Sequence, residues 1–250
     1  MIETVAIFGS SGGLGSGIAE TLASHYRLTL GYHSNLDTVE ALRERIVSAG
    51  GSAEAIVVDV RDPDSVAEFL DQATENSGRL RGVVNAVGPA IPLRPLIEVS
   101  PTEFESIMAS DVFGSFNVLT ESARRLAKNE GGIIVQLLTT AVLRTLENDG
   151  MSGIPKTAVM GIVRQLAREV AKDNVRVNAI APGVIDAGIV HSSFTADTVA
   201  QGVIKLCLDR TPMPRLGKPS EVSSLVQYLL GDEAGYINGQ IIGVDGGYSA

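Results

Sequence analysis

Short apolar runs alternate with amphipathic stretches along the whole of this chain. The amphipathic stretches predict helices near residues 14–25, 36–49, 64–77, 102–128, 154–172 and 219–230. The apolar runs are rich in Val, Ile and Leu without polar alternation, and they lie at residues 4–8, 28–32, 55–58, 82–85, 133–138, 176–180 and 240–244. Such runs are typical of parallel strands that helices cover on both faces. The alternation therefore predicts a doubly wound, seven-stranded parallel α/β sheet with right-handed crossovers.

The length and net charge of the chain limit the number of domains and the classes of partner it can bind. Because no linker, low-complexity tract or repeat divides the 250 residues, we expect one domain over residues 1–250. The net charge of −9 argues against nucleic acid and anionic membrane surfaces as partners. No apolar stretch reaches the roughly 18 residues that span a bilayer, and no signal segment precedes the first strand. Cys207 stands alone, which excludes an internal disulfide and fits a reducing compartment. We expect a cytoplasmic protein that acts on a small molecule.

A glycine-rich loop directly follows the first predicted strand. It reads Gly9-Ser10-Ser11-Gly12-Gly13-Leu14-Gly15. Glycines let the backbone approach a pyrophosphate closely, and the helix that follows offers free N–H groups and its positive end. An ordinary left-handed turn could use the same glycines, but the position between strand and helix favours a Rossmann-type nucleotide site. The predicted cofactor contacts here are Gly9, Ser10, Ser11, Gly13, Leu14 and Gly15.

Further stretches extend this pattern over nearly the whole chain. In order, they are Asp59-Val60, Asn85-Ala86-Val87-Gly88, Arg176-Val177-Asn178, Pro182-Gly183-Val184-Ile185, Arg215-Leu216-Gly217-Lys218-Pro219 and Val244-Asp245-Gly246-Gly247. In order and spacing they resemble the short-chain dehydrogenase/reductase family. The resemblance implies that Asp59 and Val60 lie near the adenine of a dinucleotide. It implies that Asn85, Ala86, Val87 and Gly88, which follow strand four, also contact the cofactor. It also implies that Pro182, Gly183 and Ile185 close over the nicotinamide, and that the chain forms a tetramer or dimer.

The end of the second strand bears on the choice of cofactor. An acid there would bind the ribose 2′-hydroxyl of NAD and repel a 2′-phosphate. This chain has Tyr32-His33-Ser34-Asn35 instead, with no acid until Asp37. His33, Ser34 and Asn35 are therefore predicted cofactor contacts, and NADP(H) is favoured over NAD(H). The alternative is that His33 is an ordinary surface residue.

The resemblance also assigns the reacting groups, and here the chain departs from the family. It implies that Lys156 holds the nicotinamide ribose and that Thr139 stands at the position of the family's Ser. Ser152 stands at the position of the catalytic Tyr, and its hydroxyl is far too weak an acid to replace a phenol. We predict that Ser152 caps the helix carrying Lys156, with Pro155 in the first turn of that helix. No metal site is predicted.

The fourth family position, an Asn, is Asp111 in this chain. Its neighbours place it on one inward stripe of a helix, formed by Phe104, Ile107, Met108, Asp111, Ser115 and Val118. A desolvated carboxyl can hold a proton at neutral pH, although a nearby Lys156 opposes this. Asp111 is therefore either a proton donor or a structural Asp bonded to backbone or Lys.

An Asp at that position together with the missing Tyr is similar to the peroxisomal type of 2,4-dienoyl-CoA reductase, a branch of the same family. The similarity implies hydride delivery to a conjugated C=C, with a carboxyl-linked proton supply. Thr139 or Thr140 would then hold the thioester or enone oxygen. Two alternatives stay open. One is a ketoreductase resembling 3-oxoacyl carrier-protein reductases, and the other is a catalytically impaired dinucleotide-binding protein.

The segment after strand six is expected to contact the substrate. It covers residues 186–212 and carries His191, Ser192 and Ser193. His191 is either a further proton donor or a solvated lid residue. Ala187 stands where the family often has a Thr that binds the nicotinamide carboxamide.

Overall fold

Seven parallel strands form a single sheet in the computed structural model, which describes residues 3–75, 79–188, 190 and 198–250. The strands are β1 (Thr4–Phe8), β2 (Arg27–Tyr32), β3 (Ser52–Val57), β4 (Leu80–Asn85), β5 (Gly132–Leu137), β6 (Val175–Pro182) and β7 (Ile241–Val244). Their order in the sheet is β3-β2-β1-β4-β5-β6-β7. This confirms the predicted Rossmann-type α/β fold. The third strand begins three residues before its prediction, because Ser52 to Glu54 pair in register with Arg27 to Thr29 of β2.

Helices connect the strands. They are α1 (Gly13–Leu22), α2 (Leu36–Ser48), α3 (Pro63–Glu75), α4 (Pro101–Met108), α5 (Gly114–Lys128), α6 (Gly150–Glu169), α7 (Thr198–Asp209) and α8 (Pro219–Leu230). The structure adds two features to the predicted elements. The helix predicted over 102–128 is present but contains a π-helical turn, Ala109–Phe113, and the segment 186–212 predicted as a substrate loop contains the helix α7. That helix forms because Ala200, Val203, Ile204 and Cys207 share one buried face.

The helices cover both faces of the sheet. Helices α3, α5 and α6 pack on one face through residues such as Phe69, Leu119 and Val163. Helices α1, α2 and α8 pack on the other through residues such as Leu22 and Leu42. Strand order reverses between β1 and β4, so their carboxyl ends open into a crevice where ligands of this fold class bind. Within the described ranges, no helix combines the length and apolar character needed to cross a membrane.

Candidate active site

A cavity of about 340 Å³ lies at the carboxyl ends of β4, β5 and β6, beside the start of α1. Its wall includes Gly12 to Gly15, Ala86 to Pro89, Leu137 to Thr140 and Pro182 to Ile185. Asp111, Ser152 and Lys156 also line it. The structure therefore brings together the predicted catalytic residues Asp111, Thr139, Ser152 and Lys156. It also brings to the same wall the predicted cofactor residues Gly13, Leu14, Gly15, Ala86, Val87, Gly88, Pro182, Gly183 and Ile185.

The glycine-rich loop is built too tightly for side chains. Gly9 has a φ of +79°, and a Cβ atom at Gly15 would lie 2.2 Å from the Gly9 carbonyl oxygen. Helix α1 begins at Gly13 with no side-chain cap at Gly12 and no acid in its first turn. Its positive end and free N–H groups therefore fit an anionic group such as a pyrophosphate. The predicted contact Ser10 is instead buried and donates to the Ile7 carbonyl oxygen at 2.8 Å, so its hydroxyl stabilises the loop.

Asn85 acts from beneath the cavity wall. It is fully buried, and its Nδ2 donates to Gln136 Oε1 at 2.8 Å and to Ser115 Oγ at 3.2 Å. Its Oδ1 accepts from the backbone N–H of Val87 at 3.2 Å. The Val87 carbonyl oxygen in turn accepts from Lys156 Nζ at 3.0 Å. Asn85 therefore fixes the backbone that orients Lys156, rather than lining the cavity itself.

Lys156 and Asp111 form a buried ion pair. Nζ of Lys156 lies 2.5 Å from Oδ1 of Asp111, and the two residues are 7% and 2% exposed. Oδ1 makes no hydrogen bond of ordinary angle, so the contact is electrostatic rather than a well-aligned hydrogen bond. The sequence stripe placed Asp111 correctly on the inward side, but it did not predict the π-helical turn in which Asp111 lies. Single π turns inside helices often occur at functional sites.

Ser152 does not cap its helix, and that prediction was wrong. Helix α6 begins at Gly150 with Asp149 at the N-cap position, so Ser152 lies inside the first turn. Its backbone N–H donates to the Asp149 carbonyl oxygen at 3.1 Å. Pro155 lies one turn further in and not in the first turn as predicted, so it removes the helical hydrogen bond to Met151. The early start places Ser152 and Lys156, four residues apart, on the cavity side of α6.

The two Thr hydroxyls at the end of β5 have different partners. Thr139 lines the cavity, and its Oγ1 accepts from the backbone N–H of Ala141 at 3.3 Å. Thr140 is buried, and its Oγ1 donates to Asp245 Oδ2 at 2.7 Å. Thr140 is therefore held by the segment after β7, which leaves Thr139 as the better placed of the two to contact a substrate oxygen.

The predicted 2′-phosphate contacts lie at the surface, away from the cavity. His33, Ser34 and Asn35 are exposed after β2, and His33 Nε2 lies 3.7 Å from Asp59 Oδ2. Arg61 donates two hydrogen bonds to Asp59, from Nε to Oδ1 at 2.9 Å and from Nη2 to Oδ2 at 2.6 Å. The hydrogen bonds from Arg61 lower the pKa of Asp59 to about 2. Sequence reasoning missed Arg61 as the positive charge of this region, although it stands two residues after Asp59. Val60 is buried against α5, where a Cβ atom on Gly114 would meet it at 2.7 Å.

Asp149 is a further cavity residue that sequence reasoning missed. It is half-buried at the start of α6, and burial raises the pKa of its carboxyl to about 7. The signal that would have found it is the spacing of Asp149, Ser152 and Lys156, which share one helix face once α6 begins at Gly150. Cys207 of α7 also lines the cavity, and burial raises the pKa of its thiol to about 11.

The predicted residues His191, Ser192 and Ser193 lie outside the described residues. In the ranges that the structure describes, no group of three or more His, Cys, Asp or Glu side chains is placed to hold a metal ion.

Comparison with known proteins identifies relatives along the full chain. A protein-family model described as enoyl-(acyl carrier protein) reductase matches residues 9–249. Versicolorin reductase of Emericella nidulans is 31% identical over 257 residues, covering 98% of this chain and 95% of its own. A 3-oxoacyl-[acyl-carrier-protein] reductase of Staphylococcus aureus is 28% identical over 250 residues, covering 99% of this chain and 98% of its own.

Solved structures of similar proteins also superpose over nearly the whole chain. The crystal structure of levodione reductase superposes with a TM-score of 0.92 at 26% identity, over 99% of this chain and 97% of that one. A short-chain type dehydrogenase/reductase from Mycobacterium ulcerans gives a TM-score of 0.90 at 27% identity, over 99% and 90%.

Proposed function

Because this chain belongs to the short-chain dehydrogenase/reductase family, we propose that it is an NADP(H)-dependent reductase with an atypical active site. Its proposed substrate carries an activated C=C or C=O in an acyl thioester or enone. The observation that carries the proposal is the 2.5 Å contact between Lys156 and Asp111 in a cavity that continues to the glycine-rich loop. A buried ion pair is expensive to assemble, so its position in the cavity wall points to a role toward bound molecules.

The residues around the cavity fit a nicotinamide dinucleotide. When bound, such a cofactor supplies a hydride to the substrate. The start of α1 would hold the pyrophosphate, and Lys156, oriented by the Val87 carbonyl, would hold the nicotinamide ribose. Pro182, Gly183 and Ile185 would cover the nicotinamide ring from the end of β6. The absence of an acid at the end of β2 and the donors His33, Ser34 and Asn35 favour the 2′-phosphate of NADP(H).

Reduction of a C=C is the preferred reaction. Carbonyl reduction in this family uses a Tyr phenol as proton donor, and position 152 holds a Ser instead. Reduction of a conjugated C=C does not need that phenol, because the proton is added at carbon or at an enolate oxygen. Thr139 would donate to the thioester oxygen at which negative charge develops. The wall of the same cavity carries Leu93, Leu138 and Val203, which suit an apolar acyl chain. The family model that matches this chain is described as enoyl-(acyl carrier protein) reductase, which agrees with this choice.

A ketoreductase is the second candidate, because the 3-oxoacyl-[acyl-carrier-protein] reductases of Staphylococcus aureus and Thermotoga maritima match nearly the whole chain. The test follows NADPH oxidation with matched enoyl and 3-oxoacyl thioesters and identifies each product by mass and NMR. A saturated thioester supports C=C reduction, and Asp111→Ala should then abolish it. A hydroxyacyl product supports the ketoreductase. Unchanged enone reduction by Asp111→Ala contradicts a role of the Lys156–Asp111 ion pair in the reaction. NADPH binding without turnover of either compound would leave a dinucleotide-binding protein.

A homo-oligomer, either a tetramer or a dimer, is also proposed. Large apolar side chains stand exposed along the α5 and α6 side of the molecule: Phe113 at 64%, Phe116 at 49% and Ile154 at 38% exposure. Covering them would require a partner surface of similar character. Sedimentation showing a stable monomer would remove this proposal.

A further inference from the structure

Asp149 presents a carboxyl group to the cavity without a partner. It holds the N-cap position of α6, but its side chain makes no capping hydrogen bond to the helix. Among the residues that the structure describes, the carboxyl has neither a hydrogen-bond donor nor an ion-pair partner, while its residue lines the cavity. A carboxyl in this position usually accepts from the first-turn N–H groups. Because the Asp149 carboxyl lines the cavity and makes no hydrogen bond there, it is placed to bind a molecule that enters the cavity.

The spacing along α6 joins Asp149 to the reacting groups. Asp149, Ser152 and Lys156 follow one another at intervals of three and four residues, which places them on one helix face. All three line the same cavity. Asp149 and Ser152 differ by a rise of about 4.5 Å along the axis. Ser152 has only a hydroxymethyl side chain, where the family's Tyr would carry a phenol.

The side chains packed near Asp149 at this end of the cavity are mainly apolar. Leu146, Val203 and Cys207 belong to one small buried cluster at this end of the cavity, and all three line it. Burial raises the pKa of the Asp149 carboxyl to about 7 and that of the Cys207 thiol to about 11. The other charged groups of the cavity, Lys156 and Asp111, are paired with each other.

Asp245 is a further charged group of this region. It acts on Cys207 from the segment after β7, and its carboxyl accepts from Thr140. Arg210 also acts on Cys207, with the opposite charge. Because burial raises its pKa to about 7, the Asp149 carboxyl can carry a proton near neutral pH. It can release that proton when an oxygen beside it becomes more basic.

We propose that Asp149 is the proton donor of this active site, in place of the Tyr that is absent at position 152. This inference rests on the proposed reductase function. A bound nicotinamide cofactor would supply the hydride that forms a C–H bond at the acceptor carbon, while the π electrons of the substrate would move to its oxygen. The Asp149 carboxyl gives its proton to that oxygen and remains as a carboxylate, which water reprotonates. A ketone becomes an alcohol, and a conjugated thioester becomes an enol that tautomerises to the saturated product.

The test compares Asp149→Asn with Glu147→Gln. Asn keeps the size and capping ability of Asp without its acidity, and Glu147 is an exposed carboxyl two residues away. We expect Asp149→Asn to lower kcat by about 100-fold, the range of general acid catalysis, and to remove the fall of activity above about pH 7. NADPH affinity, measured by fluorescence without substrate, should change less than twofold in both variants. Glu147→Gln should keep wild-type turnover.

A second readout does not depend on activity. With 13C-labelled Asp carboxyls, NMR of the protein without cofactor should show a resonance that titrates near pH 7, is absent from Asp149→Asn and is present in Glu147→Gln. Asp149→Ser, which also caps helices, replaces Asn if that variant fails to fold.

Three outcomes would overturn the proposal. Turnover of Asp149→Asn within threefold of wild type would remove the role of Asp149 and leave the reductase function standing, as would an Asp149 resonance that titrates near pH 4. A wild-type protein that reduces neither thioester would overturn the reductase function itself, and the role of Asp149 with it.

Discussion

Replacing Asp149 by Asn should change how the stability of the protein depends on pH. The native carboxyl keeps its proton to about pH 7, whereas in the unfolded chain it releases the proton near its ordinary value of 3.8. Between these values the native state binds more protons than the unfolded state, so this group makes stability fall as pH rises. Its contribution is fully present below about pH 4 and is lost once the pH has passed about 7. Asn has no proton to lose, so the variant lacks this fall.

The magnitude follows from the two pKa values. At roughly 1.4 kcal/mol for each pH unit, the difference between 3.8 and about 7 corresponds to about 4 kcal/mol in all. Integrated between pH 5 and pH 8, the wild type should lose about 2–3 kcal/mol relative to Asp149→Asn.

Urea unfolding of the protein without cofactor, at intervals from pH 5 to pH 8, measures this directly. Glu147→Gln is the matched control, because it removes a carboxyl two residues away that lies exposed outside the cavity wall. Wild-type and Asp149→Asn curves that stay parallel across this range would refute the reasoning, since the carboxyl would then titrate alike in both states.

Three further predictions concern the other parts of the site. Asp111→Ala should destabilise the protein by about 3–5 kcal/mol in urea, because it leaves the buried Lys156 ammonium without its counter-charge; a loss below about 1 kcal/mol would show that the pair is solvated. Gly15→Ala should cost about 1–3 kcal/mol of stability and weaken NADPH binding, because its Cβ would lie 2.2 Å from the Gly9 carbonyl oxygen; unchanged NADPH affinity by fluorescence would contradict this. Ser34→Asp should shift the preference from NADPH toward NADH, since an acid after β2 repels a 2′-phosphate; an unchanged ratio of the two dissociation constants would place the 2′-phosphate elsewhere.

The fold followed from the sequence because its signals are local and repeated. The five inner strands that the apolar runs predicted are buried by helices on both faces, so pattern and environment agree there, whereas the edge strands β3 and β7 are only partly buried. The inward position of Asp111 was found in the same way, since Ile107, Ser115 and Val118 share its buried stripe. What the pattern could not show is the π turn, because residue spacing over one turn does not distinguish it from an α-helix.

The start of α6 was misjudged for a different reason. Residues 149–155 contain two glycines and a proline, which disfavour a helix locally. Tertiary packing overrides this preference: Met151 is 1% exposed, and Gly153 approaches Ala141 so closely that an added Cβ would touch it at 3.4 Å. Because the helix was expected to begin later, Asp149 was treated as loop and its common face with Lys156 was not recognised. The partnership of Arg61 with Asp59 was missed because spacing alone does not show which charges pair.

The ion pair between Lys156 and Asp111 gives a reason why a carboxyl suits this active site better than a phenol. A phenol has an ordinary pKa near 10, and it becomes a good acid at neutral pH only with help from a nearby positive charge. Here the Lys156 ammonium is already engaged by Asp111 and by the Val87 carbonyl, so it offers less of that help to position 152. A carboxyl has an ordinary pKa well below 7 and needs no cation to act as an acid, because burial alone raises the pKa of Asp149 to about 7. An Asp at position 111, a short side chain at 152 and an unpaired carboxyl at 149 are therefore physically consistent with one another.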